Sequence, residues 1–153
     1  MPPLANTHRL TRCALLALSV LVFSVTGCGH RAPARPLYQE LGGVQGINAI
    51  SAAMLQRMSS DPRTQRSFDG INLKTLSASL AAHLCQIADG PCPYEGETMK
   101  NAHADLHITG SEFEVTVQIL RDELDRAGVS TGAKNELLRR LAPMQRDIVT
   151  SDR

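Results

Sequence analysis

Residues 90–103, reading GPCPYEGETMKNAH, gather the side chains of this sequence best suited to chemistry. Pro91 and Pro93 break any helix and Gly96 adds a flexible joint, so the stretch begins as a loop. It ends as a short helical turn over 98–104 that presents His103. A neutral imidazole is a common ligand for iron and zinc, although a lone histidine more often caps or packs a helix. His107 follows four residues later, a spacing at which two imidazoles on one helix face can share a metal. A solvated surface histidine is the plainer reading of His107.

Helices must do the positioning. Leu37-Tyr38-Gln39-Glu40-Leu41 is one apolar turn ended by Gly42-Gly43. Between 47 and 59, the apolar residues Ile47, Ile50, Met54, Leu55 and Met58 recur at helical spacing. Asp61-Pro62 ends that helix, because the residue before a proline avoids the α region. Phe68-Asp69-Gly70 makes a turn, and Asn72 is a natural N-cap for a helix over roughly 73–88. The inner stripe of that helix is Leu76, Leu80, His83 and Leu84. After the His103 loop, Thr109-Gly110-Ser111-Glu112 forms a capping box. It opens a helix with Phe113, Val117, Leu120 and Leu124 inside, stopped by Gly128. A last helix starts near Thr131, carries Leu137, Leu138, Leu141, Ile148 and Val149, and should kink at Pro143. No segment reads as a strand, and there is no internal repeat.

The 153 residues suffice for one domain. Only 3% are aromatic and Trp is absent, so the core is built from Leu, Ile, Val, Ala and Met. Formal charge is +1 with both signs interspersed, which argues against a nucleic-acid surface.

Residues 1–27 read as a targeting segment. Arg9 and Arg12 give a positive start, and the apolar run over 13–23 is too short to span a bilayer. Val25-Thr26-Gly27-Cys28 resembles the lipobox of bacterial lipoproteins, which implies that Cys28 becomes the lipidated first residue. Gly29 stands where an aspartate would retain such a protein in the inner membrane, which points to the outer membrane, facing the periplasm. Residues 28–36 read as a flexible tether and 37–150 as the folded domain. Without Arg9 and Arg12 the chain carries 14 basic residues against 15 acidic ones. With Cys13 removed and Cys28 lipidated, Cys85 and Cys92 remain as an even pair in an exported chain. Asp89-Gly90-Pro91 allows the reversal a bridge would need, and two separate thiols are the alternative.

Leu37-Tyr38-x-x-Leu41-Gly42-Gly43, then Phe68-x-Gly70, then Gly90-Pro91-x-x-Tyr94-x-Gly96-x-x-Met99-Lys100-x-x-His103, then Ile108-Thr109, together resemble the group I truncated haemoglobins. The resemblance spans about residues 37–150 and implies an all-α, two-over-two helical sandwich around haem b. It makes His103 the proximal iron ligand, Phe68 the aromatic stacked on the haem edge, and Met99 part of the proximal wall. It also brings Tyr94 toward the cofactor and offers Lys100, Lys74 and Thr75 to the haem propionates. A core poor in aromatics leaves room for an apolar disc.

Departures from the family pattern bear on the gas. The resemblance implies a tyrosine and a glutamine that donate hydrogen bonds to the bound gas. Leu55 and Leu80 hold those positions here, with Leu76 on the same side. Without those donors, a stabilisation of roughly 1–3 kcal/mol is missing. His83 replaces an aromatic and is either a satisfied core histidine or a haem-edge or iron ligand.

Three functions follow. One is a membrane-anchored, monomeric haem protein that binds O2, NO or CO, with NO-oxidising activity weakened by the lost donors and an unidentified reductase needed for turnover. Another is an electron-transfer or redox-sensing haem protein with six-coordinate iron. The third is a haem-free structural lipoprotein.

Overall fold

The computed structural model describes residues 35–151, so the expected leader over 1–27, Cys28 and most of the expected tether lie outside the described residues. Helix α1 (Leu37–Glu40) is a single turn whose Tyr38 N–H donates to the Ala88 carbonyl at 3.1 Å. Gly42 and Gly43 both have positive φ, 82° and 62°, a pair of left-handed steps that glycine makes without a Cβ penalty. The chain therefore turns at once into α2 (Gly43–Met58), which starts a turn earlier than the apolar spacing alone predicts.

Helix α3 (Leu73–Ile87) begins where Asn72 accepts a hydrogen bond from the Thr75 N–H at 3.1 Å. Helix α4 (Met99–His103) is capped by Thr98. Helix α5 (Gly110–Arg126) opens on the capping box between Thr109 and Glu112, and Gly128 follows it at φ 71°. Helix α6 (Thr131–Leu141) gives way at Pro143 to a 3-10 turn, Ala142–Met144, and the chain resumes as α7 (Gln145–Ile148).

The all-α, two-over-two sandwich is present. Helix α2 packs on both α3 and α5, while α6 closes against α1 and α3. Its apolar interior is Leu41, Ile47, Ile50, Leu84, Ile119, Leu124 and Leu137, each no more than 3% exposed. Glu123 is buried among these helices, where its carboxylate accepts from Arg57 at 2.9 Å and pairs with Arg126.

One expectation fails. Val149 does not extend the last helix; it enters a short strand, β2 (Val149–Ser151), paired in parallel with β1 (Ile108–Thr109) through Ile108 and Val149. Two residues of pairing carry too little alternation to be seen in sequence. Among the described residues, no helix is long and apolar enough to cross a membrane.

Candidate functional site

A cavity of about 730 Å³ opens between α2, α3, α5 and the segment carrying α4, and residues 141–148 complete its wall. Apolar residues named from the sequence line it, among them Leu55 from α2, Phe68 from the 3-10 turn Gln65–Phe68, Leu76 and Leu80 from α3, Met99 from α4, and Phe113 and Val117 from α5. Met54 and Met58 add polarisable bulk beside Leu55.

His103 lines the same space at the end of α4. Its Nδ1 lies 2.8 Å from the Met99 carbonyl, one turn back. A carbonyl only accepts, so Nδ1 carries the proton and Nε2 is left as the free nitrogen of a ring whose orientation is fixed.

His83 reaches the cavity from α3, and both its ring nitrogens are buried without a hydrogen-bond partner. Among the described residues, no protein group satisfies His83. Burial pushes its imidazole below the ordinary histidine value, so the ring is neutral at pH 7. Tyr94 covers it, ring centroids 4.6 Å apart and planes inclined at 53°. The Tyr94 hydroxyl donates to the Glu97 carbonyl at 2.8 Å.

Lys100, Lys74 and Thr75 are exposed and none belongs to the cavity wall; Lys74 instead borders a groove of about 500 Å³ between α2 and α3. Leu55 lines both spaces. His107 does not share a helix face with His103, because α4 ends at His103 and His107 sits exposed at φ 50°. The structure joins Cys85 and Cys92 by a disulfide, Cα atoms 5.8 Å apart.

Sequence reasoning missed a clasp beside the cavity wall. Arg66, two residues before Phe68, donates to the Leu106 and His107 carbonyls, both at 2.9 Å. It also forks onto Glu112 at 2.7 and 2.8 Å. The segment bearing Phe68 is thus tied to the turn that follows His103. The Arg66 guanidinium, helped by hydrogen bonds from Thr109, holds the Glu112 carboxyl down to about 2. Partners 40 to 46 positions apart leave no local signal. The Ser67 hydroxyl, which also lines the cavity, is buried and unpartnered.

These features fit haem b. The cofactor needs an oily slot, one nitrogen ligand and a volume within the roughly 300–1,000 Å³ of cofactor pockets. The slot supplies these, and buried nitrogens without partners mark a wall that is built to meet something.

Comparison with known proteins agrees. A group 1 truncated hemoglobin of Mycolicibacterium paratuberculosis is 27% identical over 123 residues, 80% of this chain and 90% of that protein. One from Nostoc commune is 28% identical over 109 residues, 71% of this chain and 92% of its own. Among solved structures, the truncated hemoglobin of Tetrahymena pyriformis in its Fe(III) form superposes with a TM-score of 0.71 at 21% identity. That match covers 74% of this chain and 97% of the other. The family model for bacterial-like globins matches residues 36–150. Fold, cavity and sequence match thus converge, and the chain belongs to the bacterial-like globin family.

Proposed function

We propose that this protein binds haem b in the central cavity and uses it to bind a diatomic gas, with His103 as the proximal imidazole. One observation carries the reading: a free Nε2 on an imidazole fixed through Nδ1, at the wall of a predominantly apolar cavity. Bound there, haem supplies an iron coordination site for O2, NO or CO. The chain's own residues do the rest. His103 holds the cofactor, and Met99 and Phe68 line the slot. Leu55, Leu76 and Leu80 exclude water and offer no donor to a polar bound gas, so O2 is held loosely on their side.

A second reading, an electron-transfer haem protein with two imidazoles on the iron, is favoured by the unpartnered nitrogens of His83. The ferrous spectrum separates the two: high-spin for the gas binder, low-spin for the two-imidazole form.

The sequence of the leader supports an envelope location, with the globin domain tethered through lipid on Cys28. Several acyl chains on one residue would hold it firmly where one would not.

The test is His103→Ala. The variant should lose stoichiometric haem uptake or the histidine-ligated Soret band. A purified variant with an unchanged spectrum would overturn the assignment.

A further inference from the structure

The end of α3 is linked to the following loop twice, at matched offsets. His83 meets Tyr94 ring to ring, and two residues inward Cys85 is bonded to Cys92. The loop is moulded to both links. A Cβ on Gly90 would lie 2.5 Å from the Cys85 sulfur, and one on Gly96 would lie 2.5 Å from the Tyr94 ring. The loop's start is held by polar contacts, with Gly90 N–H on the Cys85 carbonyl at 2.8 Å and Arg140 on Asp89 at 2.6 Å. Beyond Gly90 the pattern changes. Among the described residues, 91–98 make no hydrogen bond except within the loop or to α4. That stretch leads directly into α4 and His103. Beyond the packing of Cys92 on the core, its ties to α3 are therefore one ring contact and one covalent bond that thiols can open.

We propose that Cys85 and Cys92 form a thiol-operated latch on the cavity: as a disulfide they hold the Tyr94 loop, and through it His103, against the bound haem, and as two thiols they release it. The proposal rests on the haem reading above.

The chemistry is ordinary exchange with a dithiol reductant. Cys85 is 1% exposed and Cys92 is half-buried, so a reductant thiolate attacks Sγ of Cys92. The bond to Cys85 breaks, its electron pair leaves on Cys85 Sγ, and that sulfur takes a proton. The reductant's second thiol then displaces Cys92 as a thiol and closes the reductant's own disulfide. Two electrons and two protons pass to the protein. The leaving sulfur emerges into the apolar core, where a thiolate is disfavoured, so opening is slow. Once open, Tyr94 is free to leave His83, and α4 is held by its packing against α7 and, through the turn that follows it, by the clasp of Arg66.

The experiment follows haem loss from the full-length, haem-loaded ferric chain to an excess of an apo-globin scavenger. It compares the oxidised protein, the protein pre-reduced with dithiothreitol and alkylated, and Cys85→Ala/Cys92→Ala without reductant. In both thiol-free arms haem loss should rise by about tenfold or more, the scale expected when the constraint of a short closed loop is lost. Amide exchange of the haem-free chain, read over 91–103, should speed on reduction while α2 and α5 stay protected. Equal haem-loss rates with unchanged exchange over 91–103 would overturn the latch and leave the haem reading standing. An oxidised chain that takes up no haem would overturn the haem reading itself. If the double variant does not fold, the alkylated wild-type arm decides.

Discussion

Glu112→Gln tests the clasp that ties the segment before Phe68 to the turn after His103. The one amide oxygen of glutamine still accepts from the Thr109 N–H, so the capping box survives, while the charge and one of the two acceptors facing Arg66 are lost. A carboxyl held at about 2 instead of 4.5 corresponds to about 3 kcal/mol at neutral pH. The Arg66 side chain is 52% exposed, so solvent screening brings the net contribution to about 1–2 kcal/mol. The folded value is depressed, so the contribution is full above about 4.5 and fades as pH falls toward about 2. Thermal melts of the two chains at pH 7 should differ by about 3–10 °C, and the gap should close as the buffer approaches pH 2.5. Equal melting temperatures at pH 7, or a gap that persists undiminished in acid, would refute the assignment of this stability to the Arg66–Glu112 pair.

Leu55→Tyr should slow O2 release about tenfold in stopped-flow by adding one donor to the distal wall, and an unchanged off-rate would mean Leu55 does not face the bound gas. His83→Phe should flatten the pH dependence of stability. Burial lowers the folded His83 value, so wild-type stability falls as pH drops below the ordinary 6.5, and melts at pH 7.5 and pH 5 read the difference. An equally steep fall in the variant would exclude His83 as its source. Cys28→Ser should move the protein from the membrane fraction to the soluble one, and retention in the membrane would reject lipid at Cys28.

What was legible in the sequence is what local chemistry writes within three or four residues. The Asn72 cap, the box from Thr109 to Glu112, the stop at Gly128 and the break at Pro143 are of that kind, and all are present. The cavity wall was legible because apolar stripes at helical spacing must face one side, which places Leu76, Leu80, Phe113 and Val117 together. Long-range partners were not. Arg66 finds Glu112 across 46 positions, and Val149 finds Ile108 across 41, with nothing local to announce either. Lys100 follows Met99 in the motif, but it sits on an exposed face of α4 away from the cavity wall. Whether His83 had a partner depends on the neighbours a fold supplies, so the stripe alone left that open.

The pairing of Ile108 with Val149 sets a timetable for loading. A nascent chain that has emerged only as far as residue 130 already carries both His83 and His103. It lacks Leu141, Met144 and Ile148 on the wall, and the strand that fastens the turn after His103 is still unpartnered. Such a chain carries two imidazoles but an incomplete wall. Productive capture therefore waits until synthesis has passed β2.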